Sequence, residues 1–151
     1  MGLNIQDLEI SFASIGDGGP LPFRHAYDQD DVSPALRIEG VPSGVVELAL
    51  ICHDPDAPLP FGFTHWTAYG IPTDTTEIGE GKSVGREGQT GFGEAGYGGP
   101  LPPEGHGTHH YYFWVYALSR QVEGEPSRED FLRDYADAII EQNRVVGTYQ
   151  R

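Results

Sequence analysis

The stretch Val45-Val46-Glu47-Leu48-Ala49-Leu50-Ile51-Cys52-His53, followed at once by Asp54-Pro55-Asp56-Ala57-Pro58, decides the reading of this chain. Its β-branched and apolar residues run almost without a break, which marks a well-buried strand. The two prolines that follow fix φ and remove backbone donors. They make residues 54–58 a stiff turn that holds the carboxylates of Asp54 and Asp56 in set directions at the strand mouth. In one reading those carboxylates only accept hydrogen bonds from the turn's own backbone; in the other, at least one serves a pocket as an acceptor or proton partner.

Working outward, Leu8, Ile10 and Phe12 alternate with Asp7, Glu9 and Ser11, the period of a half-buried strand. Leu36 and Ile38 suggest a short strand, and Phe63 to Tyr69 and Thr108 to Leu118 are two more, rich in aromatic and β-branched residues. Residues 73–104 are Gly-rich and polar, with no helical period, and read as a long loop holding at most one short strand. One helix is expected. Ser127 is its N-cap, Glu129 and Asp130 sit in the first turn, and Phe131, Tyr135 and Ile139 recur at i, i+4 and i+8, so the helix should span Ser127 to Gln142. Arg144 to Tyr149 closes the chain as a strand. This order predicts a mainly β, antiparallel β-sandwich with one C-terminal helix, forming a single domain over 1–151.

Composition narrows the function. With 151 residues and 38% hydrophobic content the chain can bury a core, and its lone Cys52 cannot form an intramolecular disulfide. Nine Lys+Arg against 23 Asp+Glu give a net charge of −14, and Lys82 is the sole lysine. Such a surface repels nucleic acid and anionic membranes, and it reads as adaptation to a high-salt cytoplasm. The N-terminus lacks a basic n-region, Gln6 spoils the myristoylation pattern at Gly2, and the longest apolar run, Tyr111 to Leu118, is too short for a transmembrane segment. A cytoplasmic location, with a monomer or homodimer, is the expectation.

Two motifs match on paper and fail in context. Gly91 to Gly96 fits GxGxxG, but no strand precedes it and no helix follows to meet a pyrophosphate. Gly81 to Gly85 fits GxSxG without the strand and helix of a nucleophile elbow, and the Walker pattern fails at Thr76.

A different constellation survives. Strict alternation puts Phe63, His65, Thr67 and Tyr69 on one strand face and Thr64, Trp66 and Ala68 on the other. His109 and Tyr111 share a face of the later strand, with His110 and Tyr112 opposite. Two histidines, a tyrosine and a carboxylate can then converge, behind a proline-rich lip at Gly98-Gly99-Pro100-Leu101-Pro102-Pro103.

These segments resemble the signature regions of the phosphatidylethanolamine-binding protein family. The residues that carry the resemblance are Asp54-Pro55-Asp56-Ala57-Pro58, Thr64-His65-Trp66 and Tyr97 to Pro103 leading to His109. Ser33-Pro34-Ala35-Leu36 and Gly147-Thr148-Tyr149-Gln150-Arg151 are similar to the compact bacterial and archaeal branch, often labelled Raf-kinase-inhibitor-like. The resemblance implies a β-sandwich with a small cavity that binds anions such as phosphate and phosphoryl head groups. Its cavity positions fall on Asp54, His65, His109 and Tyr111, with Pro58 and the loop from Gly99 to Pro103 as rim and Asp56 beside them. The family usually has Arg where this chain has His110, and this branch often has Cys where it has Leu101.

The expected function is therefore a non-enzymatic protein with a small anion pocket for phosphate, phosphoryl groups or carboxylates, without a cofactor, and with a regulatory protein partner left open. Imidazole N–H, tyrosine O–H and backbone N–H groups suit such a ligand, while Asp54 suits a histidine it can orient. The alternative is a hydrolase or metal-dependent enzyme using Asp54, His65 and His109 as a 2-His-1-carboxylate set.

Overall fold

A computed structural model describes residues 4–151, so the reading at Gly2 lies outside the described residues. Strands β1 (Glu9–Phe12), β2 (Leu36–Glu39), β3 (Glu47–Asp54), β4 (Phe63–Ile71), β5 (Glu77–Ile78), β6 (Arg86–Glu87), β7 (His109–Leu118) and β8 (Ile139–Tyr149) are joined by one α-helix, α1 (Arg128–Tyr135). The strands form an antiparallel sheet in the order β1-β2-β5 and a larger one in the order β6-β4-β3-β7-β8. No helix among the described residues is long and apolar enough to cross a membrane.

The continuous apolar run of β3 follows from its central place. All its residues are buried. Leu48, Leu50 and Cys52 face the smaller sheet, where Leu8, Ile10 and Phe12 meet them with Leu36 and Ile38 in the main core. Ala49 and Ile51 face the other way and pack with Tyr69, Tyr116 and Phe131 under α1. A strand covered on both sides has no face that tolerates polar alternation, whereas β1 alternates exposed and buried residues as its sequence does. The carboxylate of Glu47, on β3 itself, is buried but accepts the N–H groups of Gly70 and Val122 at 3.0 and 3.2 Å.

Two expectations about element boundaries need correction. The helix stops at Tyr135, a short 3-10 turn covers Ala136–Ala138, and Ile139 already opens β8. Ser127 caps the helix, accepting from the Asp130 N–H at 3.1 Å. Residues 139–142 instead pair with β7, Ile139 against Leu118 and Gln142 against Tyr116. The i+8 apolar spacing that placed Ile139 on the helix also suits a strand residue beside the same core, and the ladder to β7 outweighs weak local propensity. The loop at 73–104, read as holding at most one short strand, holds two, β5 and β6.

The register of β3 against β4 carries a feature that positions the site. Cys52 pairs with Trp66, but the next residue, His53, pairs with Thr64, so His65 is an extra residue on β4. Such a bulge breaks alternation and turns the inserted side chain to a new direction. His65 and Trp66 are both buried as a result, and Tyr69 lies on the α1 side of the sheet. The expected sharing of one face by His65, Thr67 and Tyr69 therefore fails.

Candidate functional site

At the end of the sandwich where β3 stops, Asp54, His65, His109 and Tyr111 line a cavity of about 230 Å³. Phe63, Phe92, Leu59 and Leu101 form apolar walls, with Pro58 and Pro103 at the lip. None of the lining residues is Lys or Arg.

Asp54 does both jobs that its turn suggested. Its Oδ1 accepts the Asp56 backbone N–H at 2.7 Å, closing the proline turn, and its Oδ2 accepts Nδ1–H of His109 at 2.6 Å. Both side chains are 3% exposed or less, so water does not compete for this hydrogen bond. The carboxylate thereby fixes the orientation and tautomer of the ring. The other nitrogen of His109, Nε2, lies 2.6 Å from Nδ1 of His106, an exposed residue in the loop before β7. One hydrogen must sit between these two nitrogens, since each lone pair needs a donor.

His65 is held differently. Its Nδ1 lies 2.6 Å from the carbonyl oxygen of Gly98. A carbonyl only accepts, so Nδ1 carries the hydrogen and a neutral ring leaves a lone pair on Nε2. Burial pushes the His65 pKa down to about 4, the carbonyls of Gly98 and Gly99 opposing it only in part. His53, behind the site and bonded to Thr64 Oγ1 at 3.1 Å, is likewise lowered to about 4 by burial and by Arg128. Burial, then the Asp54 carboxylate, raises the Tyr111 phenol, which stays protonated. No hydrogen bond of good geometry reaches the Tyr111 hydroxyl among the described residues, although that oxygen is buried.

A sequence model of phosphatidylethanolamine-binding proteins matches residues 12–150. The chain belongs to the phosphatidylethanolamine-binding protein family. A UPF0098 protein of Aquifex aeolicus is 39% identical, with 95% of this chain and 89% of that protein aligned. Another UPF0098 protein, from Archaeoglobus fulgidus, is also 39% identical, but the chain spans only 48% of its length. Among solved structures, E. coli YbcL, described as a member of the mammalian family, superposes with a TM-score of 0.88 at 28% identity, covering 97% of this chain and 99% of that one.

Of the residues singled out in the sequence, Asp54, Pro58, His65, Pro103, His109 and Tyr111 line the cavity of this family member; Asp56 and Gly99 do not. Asp56 turns to the outside, where its Oδ2 accepts from the backbone N–H and ring Nδ1 of His110 at 2.8 and 2.7 Å. His110, in the family's usual arginine position, thus keeps a partner for Asp56 on the face away from the cavity. Gly99 is structural. Its N–H donates to Asp31 Oδ1 at 2.7 Å, and a Cβ there would collide with the backbone carbonyl of His25. Asp54 and His109 face each other, and among the described residues no group of three His, Cys, Asp or Glu side chains is arranged to hold a metal ion.

Sequence reasoning missed His106, Phe63 and Phe92 as parts of the site. Phe92 stands in the glycine-rich loop rejected as a nucleotide motif; it stacks on Tyr27 at 3.9 Å and meets Phe63 at 4.7 Å. The run His106, His109, His110 was the one visible signal for His106, but a loop residue has no period to place it.

Proposed function

We propose that this protein is a non-enzymatic binding protein whose cavity takes the oxyacid group of a small ligand, a phosphate, a phosphoryl group or a carboxylate. The single observation that carries the reading is the buried Tyr111 hydroxyl, protonated, near the Asp54 carboxylate but with no hydrogen bond of good geometry, beside a histidine that the same carboxylate holds in place. A buried donor with no partner is costly in an empty pocket and becomes favourable when a ligand oxygen accepts from it. The apolar walls exclude water and strengthen that hydrogen bond. No side chain in the lining pairs a nucleophile with a base in the manner of covalent catalysis, which supports binding over turnover.

The test is an NMR titration with phosphate, phosphoethanolamine and acetate, run on the natural protein and on Tyr111→Phe. Saturable shifts are expected around the cavity, with affinity reduced about tenfold in the variant. Because Tyr111→Phe removes a buried hydroxyl that makes no hydrogen bond of good geometry, its thermal stability should stay close to that of the natural protein. No saturable shift with any of the three would overturn the reading.

The acidic surface supports a second part of the proposal, function in high salt. Arginines are already paired in several places, as in Arg24 with Glu80 and Arg133 with Asp130 and Asp134, and most of the remaining carboxylates have no cation left to meet them. Salt screens their mutual repulsion. The midpoint of thermal unfolding should therefore rise between 0.1 M and 2 M KCl; a flat or falling midpoint would contradict salt adaptation.

A further inference from the structure

The donor and acceptor pattern inside the cavity says more than that an oxyacid fits. His65 commits its only ring hydrogen to the carbonyl of Gly98. Its Nε2 therefore has a lone pair and no hydrogen bond to any protein group among the described residues, on a ring that lines the cavity. Asp54 adds a second acceptor to the same lining, already engaged by His109 and by the Asp56 backbone. Of the neighbours that face His65, only the Gly98 and Gly99 carbonyls favour a second hydrogen on its ring, and burial outweighs them. Phe63 and Phe92 are apolar, with ring centroids at 4.8 and 5.7 Å, and Tyr111 is uncharged, at 5.1 Å. The charges of His53 and His109, when present, oppose protonation of His65.

A ligand built only of acceptors fits this pattern badly. Fully ionised carboxylates and phosphate diesters would set an oxygen lone pair against the nitrogen lone pair of His65. The Tyr111 hydroxyl satisfies one ligand oxygen, but nothing in the lining satisfies His65. The site is complete only when the ligand itself supplies a hydrogen.

Resting on the oxyacid reading above, we propose that the cavity selects oxyacids that retain one acidic hydrogen, above all the monoanion of a phosphate monoester. Its P–OH donates to His65 Nε2 while a second, unprotonated oxygen accepts from Tyr111. His109, its Nδ1 hydrogen held by Asp54 and its Nε2 facing His106, adds no donor. The apolar walls of Phe63, Phe92 and Leu59 receive the single ester substituent, and no cation is needed because the ligand carries one charge rather than two. This discriminates against diesters, whose phosphorus bears no hydroxyl.

The experiment compares methyl phosphate with dimethyl phosphate at pH 5 and constant ionic strength, using the natural protein and following cavity resonances by NMR. At that pH both probes carry close to one negative charge, since a phosphate monoester loses its second proton near pH 6. They then differ chiefly in the P–OH and one methyl group. Methyl phosphate is expected to bind at least tenfold more tightly. His65→Phe, which keeps a ring and removes the lone pair, should bring the two affinities together. Equal binding of the two probes by the natural protein, or tighter binding of dimethyl phosphate, would overturn the proposal while leaving an oxyacid pocket standing. Binding of neither, together with no response to phosphate or acetate, would overturn the oxyacid reading itself. The comparison on the natural protein decides the matter even if His65→Phe fails to fold.

Discussion

Asp54→Ala will unfold with a midpoint roughly 6–12 °C below the natural protein, a loss on the order of 3 kcal/mol, and will not bind oxyacids. Two contacts go at once: the acceptor for His109 Nδ1–H and the acceptor that closes the proline turn at Asp56 N–H. The His109 ring is then left in a region that water reaches poorly, since its side chain is almost fully buried, while the N–H of exposed Asp56 can turn to water. Asp54→Asn separates the two roles. An amide has one acceptor oxygen where the carboxylate has two, so it can serve the turn or the ring but not both. With the turn satisfied, the amide NH₂ faces His109, and the imidazole hydrogen must move from Nδ1 to Nε2, where it points at His106 Nδ1. Nitrogen-15 NMR reads this directly: the His109 tautomer should switch in Asp54→Asn, while His65, set by the Gly98 carbonyl, should not. An unchanged His109 tautomer in Asp54→Asn would show that Asp54 does not govern the ring.

The second large effect lies on the other side of the main sheet. Phe131→Ala should cost about 3–5 kcal/mol. Phe131 is fully buried and is the only buried residue of α1, with ring centroids 5.4 Å from Tyr69, 5.2 Å from Tyr116 and 5.9 Å from Tyr135. A helix of 8 residues has little stability of its own in water, so it stays folded because this ring anchors it. Removing the ring should lower the unfolding midpoint by roughly 10 °C and speed amide exchange across 128–138. Binding per folded molecule should not change, because Phe131 packs in the outer core and not against the cavity. A loss below about 1 kcal/mol would show that other contacts dock the helix.

These two predictions mark how far local pattern reaches. The Ser127 cap and the acidic first turn are local chemistry, set by a side chain within three residues of the N–H it satisfies, so the start of α1 was legible. Its end was not. Leaving the helix at Tyr135 gains a strand ladder with β7, whose partners stand some twenty to forty residues away in sequence. The site divides the same way. His109 and Tyr111 share a face because regular strands alternate, and β7 is regular there. His65 reaches the cavity through a bulge, and one inserted residue reverses every parity argument beyond it.

What the sequence by itself determined was the mainly β architecture, the doubly covered central strand, the stiff turn after Asp54 and the acidic surface. Each depends on composition or on a period of two or four residues, which neighbouring side chains impose on one another. Only the tertiary structure decided that Asp54 bonds His109 across 55 residues, that Asp56 turns outward to His110, and that His106 caps the pair. It also decided that His65 offers a lone pair rather than a hydrogen, because the carbonyl that takes its hydrogen belongs to Gly98, 33 residues further on. A ring nitrogen's role as donor or acceptor is set by what its partner nitrogen meets, and that neighbour is chosen by the packing of loops that carry no periodicity.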